Sequence, residues 1–195
     1  TVLACALLAA AMFALVNAPA VAKASATTRQ LPIYCVQRDQ KMLAISFDAA
    51  WGNEDTQQLI DILGKYNVKA TFFVVGDWVD KYPESVKALH DAGHEVMNHS
   101  NSHAHMSQLS SEAIVADVEA CNDKIEAVTG VRPALVRPPY GEYDNNVITS
   151  IRSIGMEPIQ WDVDSLDWKD LPAGEITERV VSRVQPGSIV LFHNA

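Results

Sequence analysis

Residues 42–52 read MLAISFDAAWG. A short apolar run, Met42 to Ile45, leads into Ser46 and Phe47 and stops at one carboxylate, Asp48. Two alanines follow, then Trp51 and Gly52. The stretch reads as a buried strand whose last residue is an acid, with small residues beside it and a glycine turn behind. A charge at the end of an apolar strand is costly unless it is partnered or used. The rest of the chain must therefore supply either a partner or a task.

Outward from Asp48, strand-like and helix-like segments alternate. Strands are predicted at residues 42–47, 70–75, 95–98, 134–137, 158–161 and 188–192, from β-branched and aromatic content and short length. Helices are predicted at 56–66, 83–92, 110–129, 145–154 and 174–184. The helix at 56–66 carries Leu59, Ile60, Ile62 and Leu63 on one side. The helix at 83–92 opens on Pro83 and stops at Gly93, and the one at 110–129 opens on Ser110-Ser111-Glu112 and stops at Gly130. This alternating order implies a parallel sheet covered by helices, as a barrel or a doubly wound sheet.

Polar groups gather at the ends of these strands. They are Asp48; Asn98 and His99; Arg137 followed by Pro138, Pro139 and Tyr140; Asp162 and Asp164 with Asp167 and Trp168 beyond; and His193. In a βα barrel the active site lies at that face, whereas a bland surface would scatter such residues. His99 and His103 form H-S-N-S-H. At a spacing of four, two imidazoles share one side of a helical turn, about 5–6 Å apart at Cβ. That suits two Zn–N bonds of about 2.0–2.1 Å. Neutral imidazoles favour Zn²⁺, with Co²⁺, Mn²⁺ or Ni²⁺ as alternatives. His193 ends an apolar strand, where a group titrating near neutrality can act as an acid. Arg137, held by two prolines, is placed to fork onto a carboxylate such as Asp48. His105 reads as a loop bystander, His90 as a helix-surface residue and His94 as a supporting or buried one.

The chain of 195 residues has 15 basic and 24 acidic side chains and a formal charge of −9. No basic run occurs, which excludes a nucleic-acid surface. Residues 1–24 are uncharged to Ala22 and end in Ala22-Lys23-Ala24. They read as a secretory signal peptide or, alternatively, an N-terminal membrane anchor. Either reading places the domain outside the cytoplasm, in the extracellular space or cell wall, or membrane-anchored. Residues 25–40 read as a polar linker, and residues 41–195 as one domain with a sizeable core. Cys35 and Cys121 do not have metal-type spacing and read as buried or free thiols.

These segments, in this order, resemble the five signature motifs of the polysaccharide deacetylases, the NodB-homology domain of carbohydrate esterase family 4. SFDAAWG is similar to the first motif, HSNSH to the second and RPPYG to the third. DSLDW at 164–168 is similar to the fourth, and LFH at 191–193 to the fifth. LPIYCVQRDQK and the form FDxxWG resemble the sporulation-type branch of spore-forming bacteria. The resemblance implies a distorted (β/α) barrel that here lacks its last helix and strand. It also implies removal of N-acetyl groups from N-acetylglucosamine polymers of the cell wall, peptidoglycan or chitin-like. Asp48 would be the base, and His99 and His103 the ligands of a divalent metal, zinc first. Arg137 would orient Asp48, and the Tyr140 backbone N–H would hold the oxyanion. Asp167 would tune the acid His193, and Trp168 and Leu191 would line the groove. In this family pattern a second carboxylate, a metal ligand, follows the first, and Ala49 stands in its place. That substitution keeps a second reading open: a catalytically impaired deacetylase fold that binds glycan through Trp51, Trp168 and Tyr140. A non-carbohydrate amidohydrolase is a third.

Overall fold

The computed structural model describes residues 28–194, so the predicted leader at residues 1–24 lies outside the described residues. Seven strands, β1 (Ala44–Ala49), β2 (Thr71–Val74), β3 (Glu95–Asn98), β4 (Leu135–Val136), β5 (Glu157–Pro158), β6 (Val163–Asp164) and β7 (Ile189–His193), form one sheet. Its order is β5-β4-β3-β2-β1-β7-β6, and every ladder is parallel. The helices are α1 (Thr56–Lys65), α2 (Gly76–Lys81), α3 (Pro83–Asp91), α4 (Ser111–Thr129), α5 (Asn145–Ser153) and α6 (Ala173–Val181).

Chain connectivity forces the sheet to curl. β5 and β6 are its two edges, yet only residues 159–162 separate them. A flat seven-stranded sheet would place its edges about 29 Å apart, at about 4.8 Å per step. The chain from Pro158 to Val163 reaches at most about 18 Å. The sheet therefore bends into a distorted half-barrel, the one of the two architectures left open by the alternation of elements that the family resemblance implies. The segment before β1 helps span the gap. Ile33 bridges Ile159, and Cys35 bridges Ser188. Arg152 of α5 also donates to the Leu31 carbonyl.

Strand alternation separates two environments. On β1, Phe47 and Ala49 pack outward with Phe72, Val74 and Trp78 in the layer beneath the helices. Ser46 and Asp48 lie on the opposite, inner face. Inside the curl, Phe73, Ile159 and Ile189 form a smaller apolar cluster. A third cluster seats α4 and α5, through Ile114, Val118, Val147 and Ile151, on Val136 of β4. α4 starts with Ser110 Oγ accepting from the Ala113 N–H and ends at Gly130 with φ 74°, as its sequence predicts.

Three local expectations need correction. The short helix α2, centred on the buried Trp78, follows β2 too closely to be separated from it by apolar content. The strand predicted at 158–161 stops at Pro158, because the Gln160 N–H turns to the carbonyl of Ile33. Asp162 consequently sits at the base of the sheet, accepting from Ser188 Oγ and the Ile189 N–H, and is not at a strand tip. Cys35 is exposed and Cys121 buried, and both are free thiols. Among the described residues, no helix is long and apolar enough to cross a membrane.

Gly187 sits where the segment before β1 crosses β7. Its φ is 88°, its carbonyl accepts from the Val36 N–H, and its own N–H donates to the Met42 carbonyl. A Cβ here would collide with the Val36 carbonyl oxygen. Gly187→Ala should therefore cost at least ~2 kcal/mol in urea unfolding, from left-handed strain plus displacement of this segment. An unchanged midpoint would show that the segment does not dock there.

Candidate active site

The inner face of the half-barrel opens at the strand C-termini into a cleft of about 780 Å³. Asp48 and His193 are register neighbours on β1 and β7, so two residues separated by 145 positions in sequence stand side by side at the floor. Asp48 is 6% exposed and Arg137, just past β4, is 0% exposed. The guanidinium Nη1 donates to Asp48 Oδ1 at 2.7 Å, and Nη2 donates to Ser46 Oγ at 2.9 Å. Its plane also lies over the ring of Phe73, 4.1 Å from the centroid. A buried carboxylate requires such a partner, and this contact leaves Oδ2 facing the cleft.

His99 follows β3. Its Nδ1 is 2.7 Å from the Arg137 carbonyl. That carbonyl can only accept, so Nδ1 carries the proton and Nε2 keeps its lone pair. Nε2 lies 3.5 Å from Asp48 Oδ2. His103 packs edge-on to His99, with ring centroids 5.0 Å apart, and its Nδ1 is buried without a partner. Burial lowers the His99 imidazole, and burial together with neighbouring His99 pushes His103 down to about 4. Both rings are thus neutral donors at pH 7.

The two histidines meet by a route other than the predicted helical turn. Residues 99–105 are not helical. Ser100 and His103 take φ of 71° and 55°, and the Ser100 hydroxyl accepts from the N–H groups of Ser102 and Ala104. Asn98 Oδ1 accepts from the Ser100 N–H. A polar loop of Asn and Ser side chains bonded to backbone does what a helix was expected to do.

On the opposite wall, Asp167 accepts from the backbone N–H of His193 at 2.7 Å and from its Nδ1 at 2.8 Å. The second ring nitrogen, Nε2, remains for proton transfer. Burial would lower His193, but the Asp167 hydrogen bond and the charges of Asp48, Asp167 and Asp164 outweigh it and raise the imidazole above its ordinary value. Burial would raise Asp167, and its bonds from His193 hold it below the usual carboxylate range.

Leu191, Tyr140 and Trp168 line the cleft, together with Trp51, Trp161, Asp164 and Asp170. Trp51 and Trp168 are 64% and 58% exposed, which leaves two indole faces to solvent at the rim. Ala49 is fully buried in the outer layer and provides no donor. Among the described residues, no group of three or more His, Cys, Asp or Glu side chains is arranged to hold a metal. His94 is buried near the base of β3, where its Nδ1 accepts from the Ala70 N–H. His105, read as a bystander, instead stacks on the Tyr140 ring.

The sequence model of the polysaccharide deacetylase family matches residues 36–159. The chain belongs to the polysaccharide deacetylase family. The peptidoglycan-N-acetylmuramic acid deacetylase PdaC of Bacillus subtilis is 38% identical over 159 residues, covering 82% of this deacetylase-family chain and 33% of its own. A peptidoglycan-N-acetylglucosamine deacetylase of Bacillus cereus is 33% identical over 152 residues, covering 78% and 55%. The chain thus spans about half, or less, of the length of these curated relatives. Among solved structures, a carbohydrate esterase family 4 pseudoenzyme from Bacillus anthracis superposes with a TM-score of 0.81 at 37% identity, covering 84% of this chain and 58% of its own. A mutant of that protein, described as having restored enzymatic activity, superposes at 0.82 with 38% identity, covering 85% and 61%.

Arg137→Met would keep much of the side chain's packing and leave Asp48 buried without its cation. Breaking a buried pair in this way costs about 3–5 kcal/mol, read as a lower denaturant midpoint at neutral pH. A loss below ~1 kcal/mol would mean that Asp48 has another partner.

Proposed function

We propose that the protein is a hydrolase that removes N-acetyl groups from an N-acetylglucosamine-containing cell-wall glycan, peptidoglycan or chitin-like, outside the cytoplasm. The observation that carries this reading is the pairing of two differently supported groups across one cleft. Asp48 has one oxygen committed to Arg137 and one free, and His193 is held by Asp167 as a proton carrier. An acid and a base in adjacent register form the minimal equipment for amide hydrolysis.

Two neutral imidazoles suit a divalent metal, zinc first: His99 has a fixed tautomer with its Nε2 3.5 Å from Asp48 Oδ2, and His103 has an orphaned buried nitrogen. Such an ion, when bound by His99 and His103, supplies Lewis-acid polarisation of the acetyl carbonyl and acidifies water. The remaining work belongs to the chain. Asp48 Oδ2 takes a proton from the attacking water. The Tyr140 backbone N–H receives the developing oxyanion. His193 Nε2 gives its proton to the sugar nitrogen as the C–N bond breaks, so acetate and a free amine leave. Trp168 and Trp51 present faces against which sugar rings stack, and Leu191 borders the acetyl group.

A second reading, glycan binding without turnover, is favoured by Ala49 and by the pseudoenzyme among the structural neighbours. Acetate release from peptidoglycan and from chitin oligomers, with and without chelator, separates the two readings. The zinc-loaded protein should release acetate and stop on chelation. Asp48→Asn should lose roughly 10²–10⁴ in rate, the scale of a lost proton-transfer group. His99→Ala/His103→Ala should lose both zinc and activity. Glycan retention with no acetate under any metal would establish the binding reading.

His193 works as an acid only while protonated, so the rate should fall as pH rises through its pKa. The raised pKa puts this limb above the ordinary histidine value of about 6.5. Asp167→Asn removes a charge that holds the proton, so the alkaline limb of kcat should move to lower pH. An unmoved limb would assign it to another group.

A further inference from the structure

We infer that His105 and Glu142 are positioning residues that hold the Tyr140 backbone amide in the conformation from which it would receive the oxyanion; this rests on the deacetylase reading of the site. Tyr140 has φ 61° and ψ 4°, a left-handed conformation that is sterically penalised for any residue with a Cβ. It is also 54% exposed, so core packing does not impose this geometry. Left to itself, an exposed tyrosine would relax to a right-handed or extended backbone and so reorient its N–H.

Two ring contacts oppose that relaxation. The His105 ring stacks face to face on the Tyr140 ring, with centroids 4.2 Å apart and planes 9° apart. His103 meets the same ring by its edge, with centroids 4.5 Å apart and planes 71° apart. Tyr140 is thus gripped between two histidines of one loop. The His105 ring is itself tethered: its Nδ1 lies 2.9 Å from Glu142 Oε2. Glu142 is only two residues beyond Tyr140, and its backbone N–H donates to the Pro139 carbonyl to close the turn. Glu142, His105 and Tyr140 therefore form a closed loop of contacts around the peptide that matters. The same loop of contacts joins residues 99–105 to residues 137–142, and so ties the Tyr140 peptide to the loop that carries His103.

The test compares wild type, His105→Ala, His105→Phe, Glu142→Ala and the His105→Ala/Glu142→Ala double variant. The readouts are kcat and KM on a chitin oligomer, zinc affinity by competition with a chelating dye, and the ¹⁵N order parameter of the Tyr140 amide. His105→Ala should lower kcat about 10-fold, less than the roughly 10²–10³ lost when an oxyanion donor is removed outright. KM and zinc affinity should stay within about 2-fold, and the order parameter should fall from ~0.85 towards ~0.6. His105→Phe, which keeps the stack, should recover most of the rate. The double variant should be no slower than His105→Ala, because both residues act through one contact path.

An unchanged order parameter in His105→Ala would overturn the proposal, as would a rate loss that Phe does not rescue. A fall in zinc affinity matching the fall in rate would overturn it too, assigning the effect to His103. If the wild type releases no acetate while Tyr140 still loosens in His105→Ala, the deacetylase reading has failed, and the catalytic purpose of the clamp fails with it.

Discussion

The Asp48–Arg137 pair is the constraint around which this molecule is arranged. Both groups are buried inside a half-barrel whose apolar interior includes Phe73, Ile159 and Ile189. An unpaired charge in such a place is not tolerated, so β1 and the segment after β4 must approach to within one hydrogen bond. That approach fixes more than stability. The Arg137 carbonyl, on the same residue, orients His99, and the two prolines after it lead directly into Tyr140. One arginine thus holds Asp48, the proposed base, through its side chain, orients His99 through its backbone carbonyl, and starts the loop that carries Tyr140, whose amide is proposed to hold the oxyanion.

Curling the sheet makes these contacts possible. The four residues between β5 and β6 cannot cross a flat sheet, so the edges are drawn together and the inward side chains converge. Strand period then sorts function from packing. On β1, Ser46 and Asp48 face the cleft side while Phe47 and Ala49 face the helices. On β7, His193 stands opposite Asp48 in the ladder. Asp48 and His193, the proposed base and acid, come from distant parts of the chain, yet their separation is set by the β1–β7 ladder.

Much of this was legible in the sequence because the signals are local. Apolar runs ending in Asp48, Asn98, Arg137 and His193 announce strand tips, and capping residues announce the ends of α4. Ser46 was not singled out: it shares a strand face with Asp48, but only the structure shows that Arg137 reaches it. The rest depends on non-local geometry. Asp162 looked like a tip residue because nothing in its neighbourhood reveals that Ile33 intervenes. HSNSH suggested a helical turn, whereas two positive φ angles and the Ser100 hydroxyl build a loop. The stack of His105 on Tyr140 joins two loops and has no signature in either. Position 49 is different in kind: the sequence reveals a carboxylate missing from the family pattern, and strand alternation turns Ala49 to the outer layer beneath the helices.

The central claim is that this site hydrolyses an N-acetyl group with water, and the most direct measurement follows the oxygen. Zinc-loaded protein is incubated with a fully N-acetylated chitin hexamer in H₂¹⁸O, and both products are examined by mass spectrometry. The account predicts acetate carrying one ¹⁸O together with oligomers bearing free amines, formed by the wild type and not by Asp48→Asn. A hexamer recovered unchanged, although shown to bind, would contradict the account and leave a glycan-binding protein built on a deacetylase frame.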